Sequence, residues 1–168
     1  MKFLGGKVMR YLVKQKLFTF RDSFYIKSEF GQDIFQVKGQ MFSIGNKLYL
    51  CDMYGEELIY IEQKLFKFLP AYELYRGEGL TAKVQKEFSF FKPKFNIDSV
   101  MGNFTLEGDW FDYNFSIKRN GYTVATISKQ MFSFSDTYMV DVDDNEDQPF
   151  IMALVIVIDQ VLHDNSNN

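Results

Sequence analysis

Short runs along the chain alternate apolar and polar residues with a period of two. Tyr11 and Val13 alternate with Leu12 and Lys14, Phe24 and Ile26 with Tyr25 and Lys27, and Phe35 and Val37 flank Gln36. Leu48 and Leu50 flank Tyr49, and Leu58 and Tyr60 flank Ile59. Further on, Tyr113, Phe115 and Ile117 alternate with Asn114, Ser116 and Lys118; Tyr122, Val124 and Thr126 follow, then Tyr138, Val140 and Val142. A period of two puts each apolar set on one face of an extended chain, so each run predicts a strand.

Turn signals punctuate the runs. They are Arg21-Asp22, Gly31-Gln32-Asp33, Gly45-Asn46, Tyr54-Gly55-Glu56, Pro70, Gly77-Glu78-Gly79, Pro93, Gly102-Asn103, Gly108-Asp109, Asn120-Gly121 and Ser135-Asp136. Asn120-Gly121 is the sharpest, because both residues tolerate the positive φ of a type I′ hairpin turn. Eleven turns separate twelve strands.

A repeat gives the same count. Gln15 to Phe20 resembles Gln63 to Phe68, Gly39 to Ile44 resembles Lys129 to Phe134, and Gln85 to Phe90 is a looser copy. The first Phe of each stands at 18, 42, 66, 88 and 132, and a missing copy would centre on Trp110. Six units of two strands each again make twelve.

One stretch breaks the alternation. Phe150 to Ile158 is Phe-Ile-Met-Ala-Leu-Val-Ile-Val-Ile, apolar without a gap. Periodicity does not choose between helix and strand there, and several residues are β-branched. Length and flanks favour a helix over about 149–163: Pro149 suits a first helical turn, and the acidic run Asp143 to Asp147 precedes it. A helix apolar all round must be buried all round, and this one is shorter than the ~20 residues that span a bilayer. Closing twelve antiparallel strands into a barrel removes their edges. Such a lumen is too wide for wall side chains to fill, and a helix ~10–12 Å across fits it. The expected fold is therefore mainly β: a closed, twelve-stranded antiparallel barrel around a buried C-terminal helix, one domain over residues 1–168, with strands at about 8–142.

Composition fits this picture. Of 168 residues 46% are apolar and 18% aromatic, enough for a core and weighted toward strands. The lone Cys51 excludes an internal disulfide and a cysteine-rich zinc site. Met1 to Lys7 lacks the apolar core of a signal peptide, and together these point to a reducing, cytoplasmic setting. Charge is uneven: residues 1–100 carry 16 Lys and Arg against 11 Asp and Glu, net +5, and residues 101–168 carry 3 against 11, net −8.

The chain resembles the LURP-one-related proteins and their bacterial relatives, within the tubby C-terminal-like superfamily. The residues that carry the resemblance are Phe24-Tyr25-Ile26, Val37-Lys38-Gly39, Phe42-Ser43-Ile44-Gly45, Leu48 through Gly55-Glu56-Glu57-Leu58, Gly108-Asp109-Trp110, Val124 to Ser128, Asp136 to Val140 and the helix ending at Asp159. It covers nearly the whole chain. It implies the barrel with a central helix. Plant members of the family are linked to defence, tubby binds phosphoinositides, and phospholipid scramblases share the fold.

Two clusters are candidate chemistry. Asp141, Asp143, Asn145 and Asp147 place oxygens at alternate positions, as a calcium loop does, and are the candidate metal ligands, for Ca²⁺. The EF-hand pattern fails at Glu146, where Gly is needed, and at Met152, where Glu is needed, so the run also fits an acidic turn capping the helix. Lys83, Lys86, Lys92 and Lys94, with Phe88, Phe90, Phe91 and Phe95 between them, are the candidate contacts to phospholipid head groups; lysines on outer strand faces also serve as edge protection. Asp159 requires a partner if the helix is buried, and a strand backbone group or an arginine is the expected one. His163 is alone, and no phosphate loop, dinucleotide fingerprint, nucleophile elbow or zinc spacing is present.

These readings assemble into a non-enzymatic binding or scaffold module, without a cofactor. Its expected partner is an anionic phospholipid or a protein, not nucleic acid, and no transmembrane segment is expected. The alternatives are a small-ligand carrier or weak enzyme with a pocket at the barrel mouth, and a scramblase-like membrane protein.

Overall fold

A computed structural model of the chain describes residues 6–14, 23–40, 44–90, 94–109, 112–129 and 137–164, without the side chains of residues 163 and 164. The strands are β1 (Val8–Lys14), β2 (Phe24–Ser28), β3 (Asp33–Gly39), β4 (Lys47–Cys51), β5 (Glu57–Gln63), β6 (Ala71–Arg76), β7 (Gly79–Glu87), β8 (Lys94–Ser99), β9 (Phe104–Asp109), β10 (Asn114–Arg119), β11 (Tyr122–Lys129) and β12 (Thr137–Asp143). Each pairs antiparallel with its neighbours in chain order. The barrel closes where β1 meets β12, in an unbroken register from Val8↔Asp143 to Lys14↔Thr137. The expected twelve-stranded barrel is the observed one.

Helix α1 (Gln148–Asp164) follows β12 and occupies the lumen. From Phe150 to Val161 no residue is more than 2% exposed. Inward residues of the wall meet it: Val13, Ile26, Val37, Leu50, Ile61, Leu74, Val84, Ile117, Ile127 and Val140 all belong to the same buried cluster. Burying each large apolar side chain is worth roughly 1.5–3 kcal/mol before ordering entropy. That tertiary gain overrides the weak helix propensity of the β-branched run. The helix is also capped. The Asp147 carboxylate accepts the Phe150 amide at 3.1 Å, an N-cap bond that satisfies one orphan donor of the first turn.

The strand phase differs from the alternation in two places. In β5 the inward residues are Ile59 and Ile61, not Leu58 and Tyr60. Tyr60 lies outside, stacked on Tyr49 with ring centroids 4.9 Å apart and tilted against Tyr75 at 5.8 Å. This outer rung of cross-strand partners makes both faces of β5 apolar, so alternation alone reads either way. In β11 the register jumps from Ile117↔Ala125 to Lys118↔Thr123. Val124 is the extra residue of a bulge and is itself buried in the core at 2% exposure; beyond it Ala125 and Ile127 are the inward residues, and Thr126 is not.

A third correction concerns Gly108-Asp109, which form the end of β9 rather than a turn. Gly108 has φ of +128°, and a Cβ there would sit 2.6 Å from the Asn114 carbonyl oxygen and 2.7 Å from Phe115 Cα. The glycine is needed for close strand approach. Asn120-Gly121 behaves as expected, with φ of 51° and 84° in a two-residue hairpin. Trp110, Phe18, Phe42 and Phe132 of the repeat lie outside the described residues.

Candidate binding surface

Polar groups hold the helix at both ends. At its start, the Tyr11 hydroxyl donates to Gln148 Oε1 at 3.1 Å, and Gln148 Nε2 donates to the carbonyls of Asp143 and Glu146 at 2.8 and 3.0 Å. Toward its end, Tyr113 donates to Asp159 Oδ1 at 2.6 Å, while Asn46 and Tyr72 donate to Gln160 Oε1 at 2.9 and 3.2 Å. The Asp159 partner is thus a tyrosine hydroxyl, which the sequence did not single out. The space bounded by Tyr113, Tyr138, Val155 and Asp159 has no room for a water molecule. These polar groups therefore fasten the helix and enclose no ligand space.

The acidic turn divides its carboxylates among different partners. Asp141 takes a bidentate bond from Arg10, with Nε–Oδ1 at 2.7 Å and Nη2–Oδ2 at 2.9 Å. Asp143 Oδ1 accepts the Asn145 amide at 3.0 Å and its side-chain Nδ2 at 3.1 Å. Asp147 pairs with Arg76 at 2.8 Å besides capping the helix. Burial opposes ionisation of Asp147, but hydrogen bonds from Arg76 and the Phe150 amide outweigh it and hold the carboxyl below its ordinary range. Glu146 meets Arg119 at 2.6 Å, yet burial still raises it. Among the described residues no group of three or more His, Cys, Asp or Glu side chains could hold a metal ion. Cys51 is buried, and burial raises its thiol.

The lysine candidates are spread over different faces. Lys83 points outward toward Glu73, 3.7 Å away. Lys86 shares the inward phase of Ala82 and Val84 and stands opposite Phe95 at the barrel rim. Lys94 is exposed and opposite Glu87. Lys92 lies outside the described residues.

One cavity opens on the outer wall rather than at the mouth. Glu107, Asn114, Ser116, Lys118, Thr123 and Thr126 line a hollow of about 380 Å³ across β9, β10 and β11. The bulge at Val124 and the close approach at Gly108 bend the wall there. Ser116 is 1% exposed and donates to the Glu107 carbonyl at 3.3 Å, and Lys118 forms an ion pair with Glu107. Alternating Asn114, Ser116 and Lys118 was the available sequence signal, but in a strand it also describes any solvated face.

A second surface feature is apolar. Phe66, Phe68, Phe88 and Phe90 are 104%, 97%, 67% and 84% exposed. They belong to the two described copies of the repeat, in the β5–β6 and β7–β8 connections.

Comparisons with known proteins agree with this architecture. A family model for LURP-one-related proteins matches residues 9–159. The Bacillus subtilis (strain 168) protein YxjI, whose name describes it as uncharacterized, is 34% identical over 160 residues, covering 95% of this chain and 98% of that protein. The X-ray structure of an Arabidopsis thaliana protein superposes with a TM-score of 0.67 at 20% identity, over 92% of this chain and 91% of the other. At that identity the likeness is one of fold. No helix among the described residues is long and apolar enough to cross a membrane.

Proposed function

We propose that this chain, which belongs to the LURP-one-related family, is a non-enzymatic binding or scaffold module that engages partners through the outside of a filled barrel. One observation carries this reading: Phe150 to Val161 are at most 2% exposed, so the lumen is packed with protein. A packed lumen leaves the wall and rims to do the binding. Several ionisable side chains there are paired for structure, as in Arg10–Asp141, Arg76–Asp147 and Arg119–Glu146. The setting that suits a single buried thiol is the reducing cytoplasm.

The partner class we favour is the anionic phospholipid head group, met at the rim by Lys86 and Lys94. A positive rim attracts phosphate through the surface potential of an anionic leaflet, worth about 1 kcal/mol per Lys near the surface. Sedimentation with phosphatidylserine-containing vesicles at low salt tests this. Binding that weakens in the Lys86→Glu/Lys94→Glu variant is expected, and protein left in the supernatant would sink the lipid assignment.

The hollow on β9–β11 favours a second reading, a small-ligand carrier. Its hydroxyls, one carboxamide and the Lys118–Glu107 pair suit a small polar molecule. A fragment screen by amide NMR would show shifts clustered at Ser116, Thr123 and Thr126. Shifts scattered elsewhere, or none, would argue against it.

A further inference from the structure

The antiparallel barrel sorts its connections onto two ends. The β3–β4, β5–β6 and β7–β8 connections share one end, and bonds between them fasten it. The Gln63 amide donates to the Asn46 carbonyl at 2.8 Å, the Asn46 amide to Gln63 Oε1 at 3.0 Å, and the Lys86 amide to the Pro70 carbonyl at 2.9 Å. A Cβ on Gly45 would lie 3.1 Å from Leu65 Cδ2. The described parts of the three connections are therefore tied together at one rim.

That rim displays apolar tips. Ile44 is 82% exposed, Leu65 38%, and the four phenylalanines between 67% and 104%. Phe88 and Phe90 hold each other edge to face at 5.0 Å. Phe66 stands in the left-handed region with φ of 60°, a costly conformation for a residue with a bulky side chain. Folding gains nothing from it, because the ring is fully in solvent. The conformation aims an apolar ring outward, which is a binding arrangement.

Charge separates the two ends. Lys67 is exposed, and Lys67, Lys86 and Lys94 form no ion pair among the described residues, whereas Lys64 is neutralised by Glu62 and Glu73. At the opposite end, connecting residues 29–32, 52–56, 77–78, 100–103, 120–121 and 144–147 hold seven acidic side chains and no basic one; Glu29, Glu146 and Asp147 pair with Arg10, Arg119 and Arg76 of the adjoining strands, and Asp52, Glu56, Glu78 and Asp144 form no ion pair among the described residues. Exposed apolar residues at that end are spread over separate loops: Phe30 on one, Met53 and Tyr54 on a second, and Val100 on a third.

We propose that the Phe66–Phe68–Phe88–Phe90 rim docks on an anionic bilayer, its rings entering the boundary between head groups and acyl chains and Lys67, Lys86 and Lys94 meeting phosphates. The inference rests on the phospholipid reading above and adds its mode: insertion at one rim, with the acidic end turned away. Charge complementarity selects the bilayer. Protruding tips flanked by lysine need no matching relief in a fluid surface, whereas a protein partner would need a complementary groove. Aromatic rings and lysine heads divide naturally between the apolar and charged layers of the interface.

The test uses environment-sensitive fluorophores on introduced cysteines, since Cys51 is buried and does not compete for label. Phe66→Cys and Tyr54→Cys carry the probe on opposite ends, and phosphatidylcholine vesicles are compared with and without phosphatidylserine. The expected result is a blue shift and a several-fold intensity gain at position 66, with serine lipid present, and no change at position 54. An unlabelled Phe66→Asp/Phe68→Asp variant should keep its melting temperature and lose about tenfold or more in vesicle affinity. Vesicle binding without a response at position 66 would overturn rim insertion and leave head-group binding standing. No vesicle binding at all would overturn both. A response at position 66 that needs only higher protein concentration would assign the rim to a second copy of the chain and also overturn the proposal.

Discussion

The Tyr113 hydroxyl donates to Asp159 Oδ1 at 2.6 Å across 46 positions of sequence, tying the barrel wall to the late turns of the central helix. Tyr113 takes a left-handed backbone, φ 49°, to reach it, and its ring lies 4.8 Å from that of Tyr138. Asp159 is 2% exposed, so it relies on protein partners for its solvation. Tyr113→Phe removes a donor while keeping the ring. It should cost about 1–3 kcal/mol, seen as a lower urea midpoint at unchanged slope. An unchanged midpoint would deny the bond its structural role.

The tyrosines should titrate unevenly. Burial pushes Tyr11 and Tyr60 up to about 12 and raises Tyr113 and Tyr138 as well. A phenol whose folded value is raised stabilises the fold below the ordinary value near 10 and loses that contribution as pH rises through the folded value. Absorbance at alkaline pH should show Tyr11, Tyr60, Tyr113 and Tyr138 as a late class, released with unfolding between about pH 10 and 12. Absence of a late class would contradict the burial pattern.

Asp147 predicts the acid limb. Its carboxyl is held below the ordinary range, so it stabilises the fold above pH ~4 and this contribution fades as pH falls further. Glu146 beside it is raised by burial and works in the opposite direction as acid is added. Asp147→Ala removes both the cap and the pair to Arg76. It should cost about 1–2 kcal/mol at pH 7 and flatten the fall in melting temperature below pH 4. Retention of the parental acid slope would place that sensitivity elsewhere.

Gly108→Ala is expected to be far worse than its size suggests. The added methyl meets the Asn114 carbonyl and Phe115 backbone at 2.6–2.7 Å, and main chain cannot step aside cheaply. A loss of more than about 2 kcal/mol is expected, from denaturation curves of the purified variant. A near-neutral result would mean that β9 and β10 separate without penalty.

Much of the fold was legible because alternation, turn residues and one unbroken apolar run report independent things that agreed. Where alternation misled, the outside of the barrel was apolar too: the Tyr49–Tyr60–Tyr75 rung hid the phase of β5. A bulge has no sequence period, so the shift at Val124 was invisible. The acidic run was legible as a cap through Asp147, but its spacing did not convey that Arg76 and Arg119, far away in sequence, claim Asp147 and Glu146, or that Arg10 takes Asp141 just before it. The repeat was read as a counting device. Its described copies hold four of the five exposed phenylalanines among the described residues, at one rim, which only antiparallel topology brings together.

The central claim is that α1 is enclosed on every side by the wall, leaving partners the outside. Val155, at 1% exposure, tests it most directly. A carboxylate there has no solvent to reach and would cost several kcal/mol, a large part of the 5–15 kcal/mol that holds a typical domain together. Equilibrium urea unfolding of Val155→Asp, with Val155→Ala as the volume control, is the decisive measurement. Val155→Asp should show no cooperative transition, and Val155→Ala should fold with modestly lower stability. A soluble Val155→Asp that unfolds cooperatively near the parental midpoint would contradict the enclosed helix.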